Sequence, residues 1–220
     1  MVHYSIDKNS RTIVYYFSTF VAILLTPLLN LLIEELAKTN QALEFIKNFH
    51  LTGFIIFGLL LFLFKKWMWK SKNLSGIPNL NGIWEGHYVR YQDGAPEMPI
   101  SEIRELFINK PDENKIQIII EQDWLKMSLI YQSQASESIS TVIDLKIENS
   151  KIYTLQWIFD SKERTGITPS NKYGIGTSTA RINVLEDKEI LEGTYFTQKG
   201  KKGFFRVRKV NIPSKKKSWW

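Results

Sequence analysis

Hydrophobic positions follow two different patterns that change over near residue 72. Residues 12–33, TIVYYFSTFVAILLTPLLNLLI, run for 22 positions without a charged side chain. As a helix this run would rise about 33 Å, enough for a hydrocarbon layer of about 30 Å. Pro27 and Asn30 fall in its second half. A kink at Pro27 would free backbone groups that a neighbouring helix must satisfy. The run is too long for a secretory signal, and no small-x-small cleavage site follows it.

A second apolar block, LTGFIIFGLLLFLF, covers residues 51–64. Taking in Phe45, Ile46 and Phe49 extends it to a second span over about 46–66, with Lys47 free to snorkel. Its end is marked by KKWMWK, in which interfacial Trp67 and Trp69 stand beside lysines. Gly53 and Gly58 are five apart, not the spacing of a GxxxG helix-dimer motif. Lys8, Arg11, Lys65, Lys66, Lys70 and Lys72 flank the outer ends, against Lys38 and Lys47 in the connection. That asymmetry places both termini on the cytoplasmic side. The expected first domain is therefore a two-helix transmembrane hairpin over 1–72.

From residue 73 onward, short alternating runs are separated by turn residues. They predict strands near 82–91, 102–109, 115–122, 124–133, 138–148, 151–159, 174–185, 189–198 and 203–210. Asn149-Ser150, 186–188 (EDK) and 199–202 (KGKK) read as tight hairpin turns. Eight or nine sequential antiparallel strands fit a sandwich or a closed barrel. Closure is favoured, because a meander that meets itself leaves no exposed edge and eight strands enclose room for a small ligand. The expected fold class is membrane α plus all-β. In it, two N-terminal transmembrane helices precede a cytosolic, roughly eight-stranded, up-and-down, lipocalin-like barrel over 73–220.

Composition narrows the chemistry. The chain has no cysteine, which excludes disulfides, thiolate metal sites and thiol catalysis. Its three histidines, His3, His50 and His87, are too widely spaced to suggest a metal centre. The net charge of +7 is unevenly distributed: residues 73–198 are net acidic, whereas 199–217 carry nine basic and no acidic residues. A tail ending in three lysines and Trp219-Trp220 suits anionic headgroups at a membrane face better than DNA or RNA. No Ser-His-Asp set, HExxH motif or carboxylate pair stands out. Glu85, Asp123 and Glu192 read as solvated strand carboxylates, so the protein is expected not to be an enzyme and to need no cofactor.

Candidate binding residues lie on the strands. Glu85-Gly86-His87-Tyr88 is echoed by Glu192-Gly193-Thr194-Tyr195, and Gly and Tyr two apart face the same side of a strand. Each pair offers space beside an aromatic with a polar tip, although a glycine that relieves strand curvature beside a core Tyr explains it equally well. Gly82-x-Trp84 is a lipocalin-like signature, with Arg206 or Arg208 as the cation covering the indole. Residues 174–179 (GIGTST) supply small and hydroxyl side chains beside Arg181, a charge partner for an anion. Trp124 and Trp157 could stack a base. Thr177, Thr179 and Arg181 share one strand face while Gly176 and Ser178 take the other, so only one set can face the lumen.

The order of these features resembles the two-transmembrane, β-strand-rich effectors of bacterial CBASS antiphage systems. The resemblance runs through the opening at 79–88 (NLNGIWEGHY), 120–124 (IEQDW), the serine-rich stretch 133–140 and Leu155-Gln156-Trp157. It continues through the run from Gly174 to Ala180, and 192–197 (EGTYFT) with Gly203. Two positions depart from the family pattern: Ile158-Phe159-Asp160-Ser161 replaces an aromatic-Asn-Pro run, and Tyr173 stands where a His is expected.

The resemblance implies a barrel that senses a cyclic dinucleotide made by a CD-NTase. It further implies ligand-driven homo-oligomerisation, disruption of the bacterial inner membrane and abortive infection. The ligand set expected on this reading is Trp84, Tyr88, Trp124, Thr177, Thr179, Arg181, Tyr195 and Thr197. Two other readings remain open at this point. A membrane-tethered lipocalin-like carrier of an apolar ligand requires a lumen free of Arg and Thr. A structural protein that docks a partner requires a barrel packed solid with aromatics.

Overall fold

A computed structural model describes residues 1–6, 10–37, 52–71, 75–91, 114–149, 151–163, 173–185 and 188–210. They fall into two compact units. One is helical, within residues 8–79; the other joins the first six residues to the strands from residue 80 onward.

The helical unit contains α1 (Ser10–Ala37) and α2 (Thr52–Lys66). Pro27 lies inside α1, and one residue before it the Thr26 hydroxyl donates to the Ala22 carbonyl at 2.6 Å. The two helices pack together. A Cβ on Gly53 would stand 3.2 Å from the Thr26 hydroxyl oxygen, whereas Gly58 faces open space. Gly53 thus serves close helix contact, without a GxxxG pair. Among the described residues one helix is long and apolar enough to cross a membrane, over Arg11–Leu32, and little of it is buried. The 15 residues of α2 rise only about 22 Å. The rest of the expected second span, 46–51, lies outside the described residues. Past α2, Trp67 is exposed, with the Lys66 ammonium 4.6 Å from its ring, whereas Trp69 is buried.

Among the described residues the β unit has ten strands. After β1 (Val2–His3) and β2 (Ser5–Ile6) come β3 (Gly82–Arg90), β4 (Lys115–Gln122), β5 (Lys126–Ser133) and β6 (Ser136–Ile147). They are followed by β7 (Ile152–Glu163), β8 (Tyr173–Leu185), β9 (Lys188–Thr197) and β10 (Lys202–Val210). Strands β3 to β10 form a closed antiparallel meander: each pairs with the next, and β10 returns to β3 from Gly203↔Arg90 to Val210↔Ile83. The expected eight-stranded barrel is therefore the fold. The predicted strand at 102–109 and the basic tail lie outside the described residues.

The hairpin between β5 and β6 is zipped only near its turn, by Gln132↔Glu137, Tyr131↔Ser138 and Ile130↔Ile139. Beyond that point the two strands separate, and the N-terminal segment occupies the fork. Strand β1 pairs antiparallel with β5 (Val2↔Met127, His3↔Lys126), and β2 pairs parallel with β6 (Ser5↔Asp144, Ile6↔Leu145).

Alternation on the strands sorts the interior into two halves. At the end holding the starts of β3 and β5, the lumen is filled by Trp84, Ile118, Ile120, Met127, Leu145, Tyr153 and Leu191, all buried. Trp84 is 0 % exposed, and its indole N–H donates to the Leu80 carbonyl at 3.1 Å. The cation over it is Lys209, 5.5 Å from the ring centroid and paired to Glu189 at 2.6 Å. Neither Arg206 nor Arg208 takes that role, because the antiparallel register sets Lys209 opposite Trp84. Arg206 instead pairs with Glu192 at 2.9 Å. At the other end, formed by the β5–β6 and β9–β10 turns, the inner face turns polar and the outer face apolar. Ser138 and Ser140 point inward while Ile139, next to both, is 50 % exposed.

Candidate functional site

The polar end of the lumen opens into a cavity of about 300 Å³. Its walls combine three kinds of group. Six aromatics, Tyr88, Tyr131, Trp157, Phe159, Tyr195 and Phe205, supply flat faces. Ser133, Ser136, Ser138, Ser161, Ser178 and Thr197 supply hydroxyls. Arg90, Lys199 and Lys201 stand at the rim, and no carboxylate lies among the described lining residues. Net positive charge with hydroxyl donors favours an anion, and the rings favour a planar group.

Local chain geometry places these groups. On β5, Leu129, Tyr131 and Ser133 point inward at period two. The β5–β6 turn is tied by Ser133, whose hydroxyl accepts the Ser136 N–H at 3.1 Å. The β9–β10 turn presents Lys199 and Lys201; there the Thr197 N–H donates to the Lys201 carbonyl at 2.9 Å, and Gly200 takes φ 77°.

The Gly-Tyr echo meets in this cavity. The Tyr88 and Tyr195 rings make an edge contact with centroids 6.5 Å apart. Gly86 and Gly193 are close-approach positions, since a Cβ would collide with the Arg206 carbonyl oxygen and with Ala180, respectively. The echo therefore carries both expected features: glycines required by strand packing and tyrosines that line a cavity. Trp157 and Phe205 form a second edge pair at 5.9 Å.

Burial keeps Tyr131 and Tyr195 protonated beyond the ordinary tyrosine range. The Tyr131 phenol is pushed far above its ordinary value, first by burial and then by neighbouring Tyr88 and Tyr195. The Tyr195 phenol is raised by burial as well, partly offset by its hydrogen bond to Arg90. Both phenols therefore remain O–H donors well beyond neutral pH.

Of the expected ligand set, Tyr88, Tyr195 and Thr197 line the cavity, as do Trp157, Gly174 and Ser178 among the other residues singled out from sequence. Trp84 and Trp124 do not; both are buried at the packed end. Thr177, Thr179 and Arg181 lie exposed on the outer wall, where Arg181 meets Glu148 at 3.4 Å. Register decides this: Trp157 stands opposite Ser178, and Ser178 opposite Tyr195, so the even positions of β8 face inward. Glu85 accepts from Gln117, Asp123 accepts the N–H groups of Leu125 and Lys126, and Glu192 holds Arg206. Arg90, Tyr131, Phe159, Lys199, Lys201 and Phe205 escaped the sequence reading. For Tyr131 a signal existed, since the period-two set Leu129, Tyr131, Ser133 runs straight into the serine-rich stretch.

A closed antiparallel barrel, packed at one end and cationic, aromatic and hydroxyl-lined at the other, defines a ligand-receptor barrel. A family model described as "Cap15, cyclic dinucleotide receptor domain" matches residues 75–209, more than half of the chain. The chain belongs to this family, and the resemblance to CBASS effectors read from its motifs is borne out at that level. No curated protein matches it.

Proposed function

We propose that the protein is a membrane-anchored effector of bacterial antiphage (CBASS) immunity. It binds a cyclic dinucleotide in the open half of its barrel, self-associates and disrupts the inner membrane, causing abortive infection. The observation that carries this reading is the cavity: three rim cations with no described carboxylate for two phosphates, and six rings for two bases. Arg90 and Thr197 in the lining argue against an apolar carrier, and an open volume of about 300 Å³ argues against a barrel packed solid.

The anchor is a two-span hairpin with both termini and the barrel cytoplasmic. Supporting it are the apolar, largely unburied α1, the hydrophobic α2 and the basic residues at their outer ends. Self-association is supported by an apolar stripe on the barrel's outer wall, where Ile139, Val142, Ile158, Ile175 and Phe196 are exposed on four consecutive strands.

The test is calorimetry of the full-length protein in detergent against purine and pyrimidine cyclic dinucleotides, followed by dye release from liposomes that contain it. The reading expects submicromolar binding of at least one, with release only when it is present. Absence of binding across the panel overturns it.

A further inference from the structure

The fork in the β5–β6 hairpin is occupied by a segment that reaches the helices in a few residues. Val2 and His3 cover the free edge of β5, and Ser5 and Ile6 cover that of β6. Between them Tyr4 points into the barrel and is 2 % exposed. Its hydroxyl donates to the carbonyls of Asp123 and Trp124 at 3.3 and 3.4 Å and accepts from the Gln122 side-chain amide at 3.3 Å. The Ser5 hydroxyl bonds the Asp144 carboxylate. Only residues 7–9 separate β2 from α1.

Two arrangements compete for the same backbone edges. With residues 2–6 inserted, direct β5–β6 pairing stops at Ile130↔Ile139. There the Leu129 N–H takes the Ser140 hydroxyl, at 2.9 Å, in place of a ladder carbonyl. Continued pairing of β5 with β6 would need the edges that β1 and β2 now hold. An extended segment added to open edges is a recurring recognition mode, and here the chain supplies its own strand.

The cavity lies on the zipped part of the same hairpin and reaches Leu129, the first β5 residue past it. Leu129, Tyr131 and Ser133 from β5 and Ser136 and Ser138 from β6 all line it, and Tyr131 and Ser138 are directly paired. A ligand that grips both strands favours their mutual pairing, and lengthening that pairing removes the place of residues 2–6. Binding and insertion then oppose each other, reciprocally in free energy.

We propose that the forked β5–β6 hairpin is a strand-acceptor site whose occupant, residues 2–6, is released when a ligand fills the lumen, so that binding is transmitted to the chain leading into α1. This inference rests on reading the cavity as the ligand's site.

The experiment is hydrogen exchange of the full-length protein in detergent, with and without 3′,3′-cyclic di-AMP, di-GMP and di-UMP, beside calorimetry of Tyr4→Ala. Whichever dinucleotide binds should speed exchange of the residue 2–6 amides by at least about fivefold. Tyr4→Ala should bind it tighter by about the same factor, the opposite of what a merely damaged barrel would do. Ser5→Ala, which removes only the hydroxyl's bond to Asp144, should move affinity in the same direction by less. Calorimetric binding with unchanged or slowed exchange, or weaker binding by both variants, overturns the release while leaving the cavity reading intact. Failure of all three to bind removes the cavity reading, and the inference falls with it.

Discussion

The Tyr195 ring lies over the bare α-carbon of Gly203: a Cβ there would come within 2.7 Å of both the ring carbon Cε1 and the hydroxyl oxygen. Gly203 also stands between Tyr195 and Arg90 in the barrel register. The bare α-carbon of Gly203 therefore makes room for the phenol, on the strand paired with that of the Arg90 guanidinium that shares the cavity. A Cβ there would also collide with the Val89 carbonyl oxygen on the paired strand, so Gly203→Ala should cost about 3 kcal/mol or more of stability, as overpacking against backbone does. Dinucleotide affinity should fall about tenfold or more as Tyr195 is displaced. Thermal unfolding and calorimetry of the variant read both effects.

Charge at the rim and charge on the wall should behave differently. Arg90→Gln should weaken binding about tenfold, and Lys199→Gln and Lys201→Gln each by several-fold, because charge-assisted bonds to phosphate are lost. The salt dependence of affinity should flatten in each. Arg181→Gln, on the outer wall beside Glu148, should bind as the unaltered protein does. An equal loss from Arg181→Gln would place the anion elsewhere.

The buried phenols give the barrel an alkaline limit. Unfolded tyrosines ionise near pH 10.0, whereas Tyr131 and Tyr195 stay protonated above it in the fold. A raised folded value means that their contribution is fully present below pH 10 and is lost as pH rises beyond it. Denaturant midpoints should be flat from pH 7 to 9 and fall above 10. Tyr131→Phe should reduce that fall, since it removes the more strongly shifted group.

Lys209 should matter for stability and not for ligand. It covers Trp84 and pairs with Glu189 at the packed end, away from the cavity. Lys209→Met should cost about 1 kcal/mol through the lost cation–π and ion-pair contacts, with unchanged affinity. A large binding defect would contradict the division of the lumen into two halves.

The apolar outer stripe gives a further expectation. Phe196→Glu, alone or with Ile175→Glu, should leave dinucleotide affinity intact and abolish ligand-dependent growth in particle size by light scattering. Unchanged growth would move the association surface off this wall.

The strands were legible because their alternation and turn residues are local, and Tyr88 and Tyr195 because the Gly-Tyr echo fixes the phase of each. The inner face of β8 was not. The usual rule puts apolar positions inside, but near the cavity Ile175 and Phe196 face out while Gly176, Ser178 and Thr197 face in. A polar-lined lumen inverts the pattern on which the rule rests. The cover over Trp84 depended on register, which only pairing supplies. Strands of two residues, like β1 and β2, are too short to show any period, so nothing in residues 2–6 announced their place in the barrel.

Gln122 bears on how the chain is fastened to the β unit. Its side-chain carbonyl accepts the Leu80 N–H at 2.8 Å, its backbone N–H and carbonyl engage the Asn81 side chain, and its amide nitrogen holds the Tyr4 hydroxyl. The chain leaves this unit just after β2 and returns at Leu80. Both tethers are thus knotted to one glutamine. Gln122 is itself paired with Met127 at the end of β4, so the fastening of both tethers is built into the barrel wall.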